Sequence, residues 1–135
     1  MAKEYIQNDK APSAIGAYSQ AVKHDGIVYL SGQIPLDPKK MSLVSDNIDD
    51  QIHQVFENLN YVLIESKSSL DNILKLNVYL TDLGNFTKVN EYMEKRFKKP
   101  FPARAAIGIN ELPKGALIEI DAICLLYTSD AADEE

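Results

Sequence analysis

Between Ile48 and Ile64 the apolar residues at positions 48, 52, 55, 56, 59, 62 and 63 recur every three or four residues. That spacing predicts an α-helix of about four turns with one apolar face, which another element must cover. The flanking segments show a period of two instead. Val22 to Leu30 is expected to be a β-hairpin, with Asp25-Gly26 as its turn and Ile27-Val28-Tyr29-Leu30 as a β-rich arm. Gly32-Gln33-Ile34-Pro35 is expected to end that arm, and Asp37-Pro38 to open a loop. Leu74, Leu76, Val78 and Leu80 alternate, with Ile73 and Tyr79 on the opposite face, which predicts a largely buried strand.

A second helix is expected after Asn85, a candidate N-cap, with Phe86, Val89, Tyr92 or Met93, and Arg96-Phe97 at helical spacing. Pro100 and Pro102 stop it. Two strands follow, Arg104 to Ile109 and Leu117 to Leu126, joined through a Pro113-Lys114-Gly115 turn. Both helices fall between strands and should cover one face of the sheet. The expected architecture is α+β: a single domain with one mixed β-sheet and two helices packed on one face.

At 135 residues the chain is the size of one domain and can bury a core without a metal or disulfide. No apolar run approaches the roughly 18 residues of a membrane span. The start, Met-Ala-Lys-Glu-Tyr-Ile, meets the polar Gln7-Asn8-Asp9-Lys10 too soon for a signal peptide, so a cytoplasmic protein is expected. The single cysteine, Cys124, shares a strand face with Ile118, Ile120 and Ala122 and is expected to be a buried, inert thiol. The domain is placed at residues 1–126. Residues 127–135 change character, with four acids in the last six positions. They are expected to form a disordered acidic tail whose composition resembles vector or adaptor read-through rather than a native end.

A net charge of −6 disfavours nucleic acid as a partner. The one basic run, Lys95-Arg96-Phe97-Lys98-Lys99, is expected to be the solvated end of the second helix. There is no Gly-rich phosphate loop, no G-x-S-x-G, and no pair of cysteines or histidines at metal-ligand spacing. His24, beside a turn, and His53, just off the helix's apolar face, are expected to be exposed. Carboxylates, hydroxyls, backbone groups and Arg104 remain.

On the strand that begins at Arg104, the residues Arg104, Ala106 and Gly108 share a face, and such small neighbours leave room for an anion at the arginine head. On the last strand Leu117, Glu119, Asp121 and Ile123 share a face. Two explanations stand side by side. A half-buried Glu near a half-buried Arg can be an ion pair that sets register, and pattern alone favours that. Alternatively, the guanidinium grips a substrate carboxylate while the glutamate orients or deprotonates water.

The motifs Phe101-Pro102-Ala103-Arg104-Ala105, Leu112-Pro113-Lys114-Gly115 and Ile118-Glu119-Ile120-Asp121-Ala122 resemble the C-terminal signature of the RidA (YjgF-type) proteins. The resemblance extends to Ala11-Pro12, Ile15-Gly16-Ala17-Tyr18-Ser19-Gln20-Ala21, Leu30-Ser31-Gly32-Gln33-Ile34-Pro35 and Val89-Asn90, spanning about residues 4 to 126. It implies a chorismate-mutase-like (YjgF-like) fold, a homotrimer with sites between subunits, and no metal or organic cofactor. It also implies hydrolysis of 2-aminoacrylate, 2-aminocrotonate or their imines to 2-keto acids and ammonia, a form of metabolite damage control.

By that resemblance Arg104 grips the substrate carboxylate and Glu119 positions the attacking water. Tyr18, Ser31, Gly32 and Asn90 line the pocket, and Ala106 contributes backbone where many members carry cysteine. Two further departures are Asp121, in place of the second Glu of a common Glu-Ile-Glu pattern, and Ala17, where proline is frequent. Two rival functions remain: a trimer that binds small carboxylates such as keto acids without turnover, and an RNA-directed ribonuclease or translation inhibitor.

Overall fold

A computed structural model describes residues 2–126 of the chain. The periodic segment forms α1, Ile48–Glu65. Its first turn is capped by Asn47, whose side chain accepts from the Asp50 backbone N–H at 3.1 Å, and Asp49 and Asp50 suit the positive end of the helix dipole. Ile52, Val55, Phe56, Leu59, Val62 and Leu63 are fully or almost fully buried, as the spacing predicts.

The strands are β1 (Glu4–Ile6), β2 (Ala21–His24), β3 (Ile27–Gln33), β4 (Ile73–Leu80), β5 (Ala103–Gly108) and β6 (Ile118–Leu125), and the second helix is α2 (Phe86–Arg96). They form one six-stranded sheet in the order β1-β2-β3-β6-β4-β5. Only β4 and β5 run parallel, across the α2 crossover, so the sheet is mixed. The expected α+β architecture is what the chain adopts. The hairpin turn also holds: Asp25 and Gly26 have φ of 51° and 79°, and two positive φ values twist a two-residue turn the way paired strands require. No strand was expected at β1, which is short and lies at the sheet edge.

The helices lie on one face. Against them the sheet presents Val28 and Leu30 of β3, Leu76, Val78 and Leu80 of β4, and Ile118, Ile120, Ala122 and Cys124 of β6. The opposite face carries Tyr29, Asn77, Tyr79, Ile107, Glu119, Asp121 and Ile123, as the pairing register requires. Among the described residues, no helix is long and apolar enough to cross a membrane.

Five local expectations are corrected. Leu74 is 46% exposed and Ile73 is buried instead, because a register shift between Ile73 and Lys75 breaks the simple alternation. Asn85 precedes α2 but its side chain caps nothing; Asp82 caps the preceding one-turn 3₁₀ segment by accepting from Gly84 N–H at 2.8 Å. Arg96 is not part of a solvated helix end. It pairs with Glu57 of α1 at 2.8 Å and donates to the Tyr92 hydroxyl, while Phe97 is buried. Gly32 lies within β3 rather than after it. His53 is exposed as expected, but His24 is half-buried beside Asp25. The acidic segment 127–135 lies outside the described residues.

Three buried side-chain amides, which no apolar pattern anticipates, hold the irregular segments to this frame. Gln20 accepts from Asn8 N–H at 2.7 Å and donates to Pro12 C=O at 2.8 Å. Gln51 donates to Ser45 C=O and accepts from Leu117 N–H, at 2.8 and 2.9 Å. Asn58 donates to the carbonyls of Ile34 and Leu36 at 3.2 and 3.1 Å, and its own carbonyl accepts from Gln54 at 2.8 Å. Buried backbone groups outside helices and strands must find partners, and these amides supply them.

Asn58→Leu keeps the branched shape but leaves the Leu36 carbonyl without its side-chain donor, while Ile34 C=O keeps the Leu36 N–H, so urea unfolding should show a loss of about 1–3 kcal/mol. Burial pushes the Cys124 thiol up to about 12. Cys124 should therefore resist alkylation in the folded protein at pH 8 and react fully once unfolded.

Candidate functional site

The β3–β6 pairing slips beside the site. Leu30 faces Ala122 and Gln33 faces Ile120, so Ser31 and Gly32 together oppose the single residue Asp121. This bulge turns the β3 backbone toward Glu119 on the open face of the sheet. A Cβ on Gly32 would overlap Glu119 Oε2 and lie 2.9 Å from its carboxyl carbon. Only a glycine lets the carboxyl group lie against this backbone.

Ser31 is fixed by donating its hydroxyl to Ser19 C=O at 2.6 Å. The loop before β2 brings in Tyr18, whose hydroxyl accepts from Ile15 N–H at 3.3 Å. Glu119, Tyr18, Ser31 and Gly32 thus line one cavity of about 300 Å³, with Ile15, Leu36 and Pro113 among its apolar walls. The same amides reach these walls: Gln20 holds the Pro12 end of the loop, and Asn58 holds Ile34 and Leu36.

Glu119 is half-buried and has no cation within ion-pair distance among the described residues. Burial, and then the charge of Asp121, raise its carboxyl above the ordinary value of 4.5. A carboxylate that has lost water without gaining a cation binds protons more tightly. It is thereby a better proton acceptor for water or a substrate than an ordinary solvated carboxylate.

Arg104 is elsewhere. Its register with Leu76 places it on the helix-covered face, at the β5 edge. It donates to Asn90 Oδ1 at 2.6 Å and its guanidinium lies 4.6 Å from the Phe86 ring centroid. A hollow of about 330 Å³ opens beside it, lined by Asn90, Met93, Glu94, Phe101 and Pro102. Leu83, Phe86 and Ala106 border Arg104 on its other flank. No described carboxylate pairs with Arg104. A fork oriented by a neutral amide and an aromatic face, with no described carboxylate within ion-pair distance, can take an external carboxylate in two hydrogen bonds.

The expected residues therefore fall into two groups: Glu119, Tyr18, Ser31 and Gly32 in one, and Arg104, Asn90 and Ala106 in the other. The ion-pair explanation for Arg104 and Glu119 is overturned, because the two side chains lie on opposite faces of the sheet within one chain. Sequence reasoning missed Phe86, although its i, i+4 spacing to Asn90 places both on one flank of α2. It also missed the fixing of Asp121, which accepts from Asn77 at 2.7 Å and from the Tyr79 hydroxyl at 3.1 Å.

Residues 8–126 match the family model described as Endoribonuclease L-PSP. A 2-iminobutanoate/2-iminopropanoate deaminase of Homo sapiens is 42% identical over 123 residues, 91% of this chain and 90% of that protein. The crystal structure of RidA from the Antarctic bacterium Psychrobacter sp. superimposes with a TM-score of 0.87 at 44% identity, covering 90% of this chain and 98% of that one. A crystal structure of E. coli TdcF with bound serine gives a TM-score of 0.83 at 31% identity, over 90% of this chain and 98% of its own. With the match running through both halves of the candidate site, the chain belongs to the RidA (YjgF-type) family.

Proposed function

We propose that this protein hydrolyses enamine and imine intermediates derived from amino acids, 2-aminoacrylate and 2-aminocrotonate with their imine tautomers, to 2-keto acids and ammonia. The observation that carries this reading is Glu119, half-buried with raised proton affinity against the glycine backbone of a small cavity. Relatives named as imine deaminases support the reaction class. A family neighbour with bound serine supports a ligand the size of an amino acid. The family description also names a ribonuclease, but here the chain's net charge is −6 and Arg96 of the basic run is committed to Glu57.

Assembly is part of the proposal. Arg104 and Glu119 lie on opposite faces of one sheet, so a site that uses both needs a second copy of the chain. The open face carries Tyr29, Ile107 and Leu125, each between 45% and 50% exposed, a burden of apolar surface that a neighbouring copy would cover. A homotrimer, with Arg104 of one copy facing Glu119 of the next, meets both conditions.

In this scheme Arg104 holds the substrate carboxylate and fixes C2 near Glu119. The enamine takes a proton at C3 and becomes an iminium. Glu119 accepts a proton from water as the oxygen bonds to C2, then returns it to nitrogen. The C2–N bond breaks as the hydroxyl proton leaves, giving ammonia and the keto acid. Free imines hydrolyse in water unaided, so positioning and one acid–base group suffice.

The test generates the enamine in situ from serine or threonine with a dehydratase and follows keto-acid release. Faster release that is lost in Arg104→Ala and in Glu119→Gln is expected. A folded protein that leaves the rate unchanged would sink the proposal and, if it binds 2-ketobutyrate, would point to a sensor. Glu119 must be ionised to accept a proton, so activity should fall as pH drops through its raised value, above 4.5. Gly32→Ala should push the Glu119 carboxyl out of place and cut kcat/KM about 100-fold without unfolding the chain.

A further inference from the structure

Asp121 is not used by the reaction scheme, yet it stands two residues from Glu119 on the same face of β6. Two residues along a strand is about 6.6 Å, close enough for one carboxylate to act on another where water is partly excluded. Its oxygens are each engaged by a different neutral donor of the neighbouring strand: Oδ1 by the Asn77 amide at 2.7 Å and Oδ2 by the Tyr79 hydroxyl at 3.1 Å. No described cation pairs with it. A salt bridge would cancel the field of this carboxylate at Glu119, whereas neutral donors fix its position and leave its charge in force. Tyr79 is itself the β4 partner of Glu119 in the pairing register, so the clamp and the acid–base group occupy adjacent positions on one face.

We propose that Asp121 is a positioning residue, a fixed negative charge that acts through Glu119 and is held in place by Asn77 and Tyr79. This rests on the deaminase reading of Glu119 and adds the source of its basicity.

The surroundings of Glu119 bear this out. On this face β6 offers Asp121, β4 offers Tyr79 and, farther along, Lys75, β3 offers Tyr29, and the loop before β2 offers Tyr18. The β5 residues on this side, Ala105 and Ile107, carry no charge. After burial, Asp121 is the group that raises the Glu119 carboxyl, and Asp121 and Glu119 both raise the Tyr79 hydroxyl behind its own burial.

The sign follows directly. With the negative neighbour present, Glu119 releases its proton at a higher pH and is the stronger base once ionised. Asp121→Asn keeps an oxygen for the Tyr79 hydroxyl and removes the charge. Glu119 should then titrate lower by about one pH unit. The acid limb of kcat/KM should move down with it, and the plateau rate should fall several-fold. Asp121→Glu restores the charge and should return the limb toward its original position. Tyr79→Phe leaves the charge but releases one of its two holds, and should shift the limb in the same direction as Asp121→Asn by a smaller amount.

The experiment pairs pH–rate profiles with a carbon-13 NMR titration of the Glu119 carboxyl, assigned through Glu119→Gln, in the full-length protein and the three variants. A downward shift in Asp121→Asn that Asp121→Glu reverses is the expected result, and a purely structural role for Asp121 would not produce it. An unmoved Glu119 titration, in whichever of Asp121→Asn and Tyr79→Phe folds, overturns the proposal even if the enzyme is active. Absence of deaminase activity in the parent protein defeats the functional reading separately, because the NMR titration still decides whether Asp121 acts on Glu119.

Discussion

The alternation of β6 is the constraint on which the rest of the molecule depends. This strand is paired on both edges, to β3 and to β4, and every second side chain enters the core: Ile118, Ile120, Ala122 and Cys124 are at most 2% exposed. Burying them against α1 stabilises each by about 1–3 kcal/mol for the larger aliphatics, so the register cannot slip by one without losing the core. The residues between them, Glu119 and Asp121, are thereby held on the face away from the helices. Arg104, paired in register with the buried Leu76, is held on the other. The separation of these two candidate groups follows from the core, and it makes a second copy of the chain a requirement of any site that uses both.

What brings the Glu119 cavity together is polar. Its walls come from segments with little regular structure, whose backbone groups would be costly to bury unpaired. Gln20 and Asn58 meet that need from inside the core, Gln20 at Pro12 and Asn58 at Ile34 and Leu36. The bulge at Ser31 and Gly32 completes the cavity from the β3 side. These devices bring the cavity together beside a carboxyl that has no cation partner among the described residues, and the resulting proton affinity is the property the proposed chemistry uses.

Much of the frame was legible in the sequence because apolar periodicity records which face of an element is buried. The α1 stripe, the Asp25-Gly26 turn, the buried Cys124 and the two-helix mixed sheet all follow from it. It failed where the period is locally broken, as at Ile73 and Leu74, and where polarity was taken for exposure, as at Arg96. Periodicity is silent on partners: Arg96 looks like any helix-end cation until Glu57 of α1 is found beside it. Of the site, the residue set came from ordered motifs, and Phe86 was missed because an aromatic in the first turn of a helix reads as core.

The sequence by itself determined the elements, the buried stripe of each, and which side of its own strand Arg104 or Glu119 must share with its neighbours. These are local properties, fixed by the 3.6-residue and two-residue repeats of the backbone. Only the tertiary structure decided that the two faces are opposite ones. That relation depends on strand order and on the register between β6, β4 and β5, which are pairings of residues far apart in the chain. The same pairings placed Asn77 and Tyr79 against Asp121, and the bulge placed Gly32 against Glu119. Non-local hydrogen bonding set those contacts, and no periodicity along a single segment encodes them.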